Sequence, residues 1–205
     1  MNEKAMTRKK IWDLLEERNL ALFPRPCYGR IPNFIGSDKA AEKLRGSKEW
    51  KDAKIIVSNP DSAQRSVRKN ALKDNKVLIM ASPKLKKGYL RISPKEIKGK
   101  EDFASTIRGA FKYGKRVDKL PKVDLVITGC VAVDRSGNKL GKGLGLGDKE
   151  IARLELGGAI NKNTPIATTV HDVQIVDSVP SEPHDKKVNM VITPTRVIRI
   201  SSSSF

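Results

Sequence analysis

Glycines alternate with other residues in Gly141-Lys142-Gly143-Leu144-Gly145-Leu146-Gly147-Asp148, and two lysines, Lys139 and Lys142, stand beside that bare backbone. Such a run makes a poor helix and a poor strand, because glycine loses the most conformational freedom on ordering. What it offers instead is main-chain amides open to close approach, and amides flanked by ammonium groups are phosphate-binding chemistry. A flexible surface loop has the same composition, so the neighbouring sequence has to decide. Leu125-Val126-Ile127 and Val131-Ala132-Val133 read as buried strand, and Asp148 to Leu156 reads as a helix with an acidic first turn. The loop is therefore expected to join a strand to a helix N-terminus. Two better-known phosphate loops are excluded by spacing. A dinucleotide fingerprint needs glycine where Leu146 or Asp148 stands, and a Walker loop needs serine or threonine where Gly143 follows Lys142.

The elements that must position this loop follow from periodicity. Residues 4–20 read as a helix in which Lys4, Arg8, Ile11 and Leu15 share one face, so two cations extend an apolar stripe. Phe23 to Phe34 carries three prolines and is expected to be an ordered loop held by its aromatics. Ser37 is placed as the cap of a helix bearing Ala40, Ala41 and Leu44. Ile55-Ile56-Val57 gives a strand, Asn59-Pro60-Asp61 a turn and cap, and Ala63, Val67 and Ala71 one face of the next helix. A strand over 76–80, a basic connection over 83–100 and a helix marked by Phe103, Ile107 and Phe111 come next. Short strands are expected over 165–170, 173–176, 188–192 and 197–200, and a frayed tail over 201–204. Strand, helix and strand in alternation indicate a parallel sheet with crossover helices. No repeat or composition shift marks a boundary, so 1–205 is expected to be a single domain.

The chain has 205 residues, 38% of them hydrophobic, enough for a real core. No apolar run reaches the roughly 20 residues that span a bilayer, and no apolar segment follows the charged N-terminus, so the expectation is a cytosolic protein without membrane contact. Cys27 and Cys130 lie far apart and suit buried reduced thiols, while two isolated histidines, His171 and His184, make a weak case for zinc, which wants three or four ligands in a tight frame. The formal charge is +18, and residues 84–122 hold thirteen Lys/Arg against four Asp/Glu. That balance attracts polyanions, either nucleotides and polyglutamylated cofactors or RNA through the 84–122 segment, and it also suits a plain lysine-rich surface. Aromatics make up 5% of the chain, and no aromatic-interleaved RNA-binding motif accompanies the charge.

Taken together, Lys4 to Trp12, Phe23 to Gly36, Asn59-Pro60-Asp61, Val131 to Asp148, Pro180 to Asp185 and Val191 to Thr195 resemble the 5-formyltetrahydrofolate cyclo-ligases, also called methenyltetrahydrofolate synthetases. Within that family the chain is most similar to the methenyltetrahydrofolate synthetase domain-containing branch and its archaeal relatives. The resemblance implies a three-layer α/β fold of the NagB/RpiA/CoA-transferase-like type, with a mostly parallel sheet and helices on both faces. It implies ATP and Mg²⁺ as cofactors and a reduced folate as substrate. ATP would phosphorylate the formyl oxygen of 5-formyltetrahydrofolate, N10 would close the ring and phosphate would leave. Carried over by position, the family's ATP-phosphate ligands fall on Lys4, Arg8, Lys139, Lys142, Gly141, Gly143 and Gly145, with Gly147 completing the loop, and its loop-closing acid, the metal ligand, falls on Asp148. The two tyrosines usual before that aspartate are replaced by Leu146 and Gly147. The acid that helps hold the pterin falls in the 59–68 segment, where Asp61 or Gln64 stands for it.

Two function classes follow. One is an ATP-dependent cyclo-ligase. The other is a non-catalytic nucleotide-binding or RNA-associated module on the same fold, motivated by the missing tyrosines and the basic segment. A sugar-phosphate isomerase or CoA-transferase would rest on fold analogy alone, and the sequence shows no acid–base constellation for it.

Overall fold

A computed structural model describes residues 2–200, so the expected tail over 201–204 lies outside the described residues. In chain order the elements are α1 (Glu3–Glu17), β1 (Ala21–Leu22), β2 (Asn33–Phe34), α2 (Ser37–Arg45), α3 (Lys48–Asp52), β3 (Ile55–Ser58), α4 (Arg65–Lys73), β4 (Val77–Ala81), β5 (Tyr89–Ile92), α5 (Glu101–Ala104), α6 (Ile107–Tyr113) and β6 (Lys115–Val117). They continue with β7 (Leu125–Ile127), β8 (Ala132–Val133), β9 (Lys139–Leu140), α7 (Leu146–Leu156), β10 (Ile166–Thr169), β11 (Met190–Ile192) and β12 (Val197–Arg199).

The central sheet runs β12-β11-β10-β7-β3-β4-β5-β6. Its inner strands β11, β10, β7, β3 and β4 are mutually parallel, and β12, β5 and β6 add antiparallel edges. Period-two alternation sorts the side chains into two faces. Ile56, Leu78 and Leu125 turn toward the helices α1, α2 and α4 to α6, whereas Val57, Ile79 and Val126 turn toward α7, whose Ile151 and Leu154 are buried against them. The result is the three-layer, mostly parallel α/β architecture expected from the sequence. Cys27 and Cys130 are free and buried, also as expected.

Several local expectations are corrected. The basic connection over 83–100 contains β5, paired antiparallel to β4, because Leu90 and Ile92 alternate into the core beside Leu78 and Met80. The helix marked by Phe103, Ile107 and Phe111 is two helices broken at Ser105-Thr106, where Thr106 caps α6 through the Gly109 amide. The three marker side chains stay 39%, 40% and 40% exposed, and the small residues Ala104 and Ala110 face the core instead. Leu125 to Val133 is not one strand: β7 belongs to the central sheet, and Ala132-Val133 pairs with β9 in a separate hairpin. Residues 173–176 form a 3₁₀ turn and one isolated bridge, from Ile175 to Val133, in place of a strand. Gly36, with φ +85°, takes the capping position ahead of Ser37.

The proline-rich loop is ordered by α1 more than by its own rings. Arg25 and the Cys27 amide both bond Glu16, Tyr28 bonds Asp13, and the Trp12 indole donates to the Arg30 carbonyl at 3.0 Å. Phe34 is buried, but Phe23 is 84% exposed.

The α5–α6 contact sets a steric test. A Cβ at Gly109 would fall 1.8 Å from the Phe103 carbonyl oxygen, whereas at Gly46 the nearest atom lies at an ordinary 3.5 Å. We expect Gly109→Ala to cost about 3 kcal/mol in urea unfolding, the upper end of overpacking. Gly46→Ala should be neutral or stabilising by up to about 1 kcal/mol. Equal effects at both positions would contradict the packing.

Candidate functional site

A cavity of about 670 Å³ opens beyond the carboxyl ends of β3, β4 and β7, walled there by Asn59, Ala81, Ser82 and Gly129. The ends of parallel strands are where open α/β sheets bind ligands, because the connections splay apart there. The glycine run from Gly141 to Gly147 forms the opposite wall. It leaves the β8–β9 hairpin and enters α7, so a hairpin stands between the sheet strand and the loop. Gly143 at φ +103° and Gly145 at φ +61° adopt backbone that favours glycine. A Cβ on Gly143 would come within 3.5 Å of the Arg8 guanidinium. α7 begins at Leu146, so Asp148 lies within its first turn.

The cations singled out in the sequence converge on this cavity, each in a different state. The Lys139 side chain is only 3% exposed, and its ammonium donates to Asp148 Oδ1 at 2.6 Å. Lys142 faces Asp61 Oδ1 at 3.4 Å. Asp61 therefore meets a cation and makes no cap bond to the following turn. Burial pushes the Asp61 carboxyl above its usual range, against the pull of Lys142. Arg8 donates Nε to the Gly141 carbonyl at 2.7 Å and makes no ion pair among the described residues. Desolvation holds its guanidinium below the ordinary value, with Asp185 opposing. Lys4 reaches the rim but spends its ammonium on Asp185 and Glu182, both at 2.7 Å. Those bonds, to Asp185 first, raise its pKa.

Parts of the site gave weaker signals in the sequence. The strap over 180–187 carries Glu182 and Asp185, and its Lys186 amide donates to Asp148 at 3.1 Å. Arg68, 2% exposed, donates to the carbonyls of Asn59, Asp61 and Ser105, clamping the Asn59-Pro60-Asp61 turn. Gln64 is fully buried behind Gly129, outside the cavity lining, with its amide on Thr169. A Cβ at Gly129 would lie 2.8 Å from Gln64 Oε1 and 2.7 Å from Ile31 Cγ2, so only glycine fits. Glu150 lines the cavity from α7, and burial, then Asp61, push its carboxyl up to about 8 against the charge of Lys139. Its signal was legible: Gly147, Glu150, Ile151 and Leu154 share one helical face, so an acid sits on the apolar stripe.

A magnesium nucleotide fits this residue set. Arg8, Lys142 and the bare loop amides match phosphate oxygens, and Asp61 and Asp148 are the oxygen ligands a hard cation prefers. The buried atom Asn59 Oδ1, on the cavity wall, lacks a partner, as the wall of a ligand site does. Ile31, Leu85 and Ile107 make an apolar flank beside these polar groups.

The fold and site define an α/β protein with a glycine-walled, cation-lined cavity beyond its strand ends. A family model described as the 5-formyltetrahydrofolate cyclo-ligase family matches residues 1–194, and the chain belongs to that family. It is 41% identical over 202 residues to a methenyltetrahydrofolate synthase domain-containing protein of Bos taurus, covering 93% of this chain and 52% of the relative. It is 40% identical over 204 residues to the protein of the same name from Mus musculus, covering 95% and 54%. The chain thus spans about half the length of these relatives. Among solved structures, 5,10-methenyltetrahydrofolate synthetase from Aquifex aeolicus shares the fold, with TM-score 0.62, 21% identity and coverage of 97% of this chain and 93% of that one. No helix among the described residues is long and apolar enough to cross a membrane.

The Lys139–Asp148 contact yields a quantitative test. In a double-mutant cycle with Lys139→Met and Asp148→Asn, Asp148→Asn is expected to cost about 3 kcal/mol, since it strands a buried ammonium, and Lys139→Met about 1 kcal/mol, since Asp148 is 26% exposed and keeps the Lys186 amide. The coupling should be about 1–3 kcal/mol, and a coupling near zero would mean that the pair does not hold the loop.

Proposed function

We propose that this chain is an ATP-dependent cyclo-ligase that converts 5-formyltetrahydrofolate into 5,10-methenyltetrahydrofolate, with ADP and phosphate released. One observation carries the reading: a single cavity joins a cationic, amide-rich wall to an apolar flank, so a triphosphate and a flat heterocycle have room side by side. ATP, when bound, supplies the phosphoryl group that turns the formyl oxygen into a leaving group. Arg8, Lys142 and the amides of Gly141, Gly143, Gly145 and Gly147 bind phosphate oxygens. Lys139 fixes Asp148, which with Asp61 would hold Mg²⁺.

Phosphoryl transfer needs mainly positioning and charge stabilisation, which is what lysines, arginine and fixed amides provide. Lys4 is poised one contact away, because an incoming phosphate competes with Glu182 and Asp185 for its ammonium. Exclusion of water falls to the strap and to the side chains of Ile31, Leu85 and Ile107. Membership of the cyclo-ligase family agrees with this chemistry.

The test is a methenyl absorbance assay with purified chain, MgATP and 5-formyltetrahydrofolate. Turnover is expected, and its absence would overturn the reading. Lys142→Ala should weaken ATP binding and lower kcat/KM by about a hundredfold, the usual loss for one charge stabiliser of the transition state. Asp148→Ala should likewise weaken binding of MgATP, measured by calorimetry.

A further inference from the structure

Glu150 occupies a position where helical periodicity calls for an apolar side chain, between Gly147 and Leu154 on the buried stripe of α7. It is 6% exposed, and its Oε1 has no hydrogen-bond partner. The charged and titratable groups that act on it come from three other elements: Asp61 after β3, Lys139 in β9 and Tyr89 in β5. None of them satisfies it. Asp61 repels it, Lys139 is bound to Asp148, and the Tyr89 hydroxyl is itself unpartnered. A buried carboxyl left in this state costs stability that leucine would recover, so a contact from the cavity side is the missing element.

The unpartnered atom says what that contact is. Oε1 is an acceptor, so a phosphate, which presents oxygen acceptors of its own, cannot satisfy it and has a better place at Arg8 and the loop amides. The part of the ligand that meets Glu150 therefore carries N–H donors. The 59–64 segment leaves this role open, since Asp61 faces Lys142 and Gln64 is sealed behind Gly129. We propose that Glu150 is the specificity-determining carboxyl of the cavity, accepting a hydrogen bond from a ring N–H of the reduced folate. This rests on the cyclo-ligase reading above and moves the pterin-holding acid to α7.

The test titrates 5-formyltetrahydrofolate alone and MgATP alone into the wild-type chain, Glu150→Met and Glu150→Gln, with thermal melts of each. Glu150→Met should melt at or above the wild-type temperature, keep MgATP affinity within twofold and lose folate affinity by at least thirtyfold. Glu150→Gln, which retains an acceptor, should stay within fivefold for both ligands; should methionine fail to pack, Glu150→Ala takes its place in the comparison. Wild-type folate affinity in Glu150→Met removes Glu150 from recognition and leaves the cyclo-ligase reading standing. Loss of MgATP affinity in Glu150→Gln makes the residue part of the nucleotide site and overturns the proposal. A wild-type chain that binds MgATP but no folate overturns both.

Discussion

The ion pair between Lys139 and Asp148 governs the architecture of the site. Lys139 closes the β8–β9 hairpin and Asp148 sits in the first turn of α7, so their 2.6 Å contact fixes the span that residues 141–145 must bridge. Glycine follows from that span, because Gly143 and Gly145 have to adopt positive φ to make it. Asp148 also receives the Lys186 amide, which draws the strap over the cavity, and the strap in turn holds Lys4 through Glu182 and Asp185. An ion pair with its ammonium buried adds little net stability once desolvation is counted, so its structural consequence is the spacing it imposes.

The cavity keeps the cationic excess of the chain, and what distinguishes it is local pairing. Three cations at the site meet carboxylates, Lys4 with Glu182 and Asp185, Lys139 with Asp148 and Lys142 with Asp61, whereas Arg8 makes no ion pair among the described residues. Half of the formal charge of +18 lies in the 84–122 segment, where Lys87 covers Phe111 and both Lys100 and Lys112 cover Tyr113. A positive field of that size draws anionic ligands toward the protein, and local pairing decides where they come to rest. The fully buried Arg68 guanidinium has a different use, as a clamp on three main-chain carbonyls.

Where the sequence reading departs from the structure, the causes are local. Phe103, Ile107 and Phe111 recur every four residues, which suggests one helix with an inward apolar face. Thr106 caps a new helix there, and the close approach at Gly109 turns the small residues inward instead. The strand β5 hides in a lysine-rich stretch because only four residues, Tyr89 to Ile92, pair with β4, and the lysines lie in the connections on either side. Asp61 reads as a helix cap from its type and place, yet Lys142, eighty-one positions away, claims its carboxylate.

From the sequence alone came the alternation of strands and helices, the phosphate-type glycine run, the paired cations of α1 and the resemblance to the cyclo-ligases. All of these depend on spacing along the chain, which a sequence records directly. The tertiary structure decided which charges are neutralised, that Gln64 is sealed off while Glu150 reaches the cavity, and that the strap and α1 meet above the loop. Those outcomes depend on distances between residues far apart in the chain, and the burial that sets them exists only once the three layers have packed.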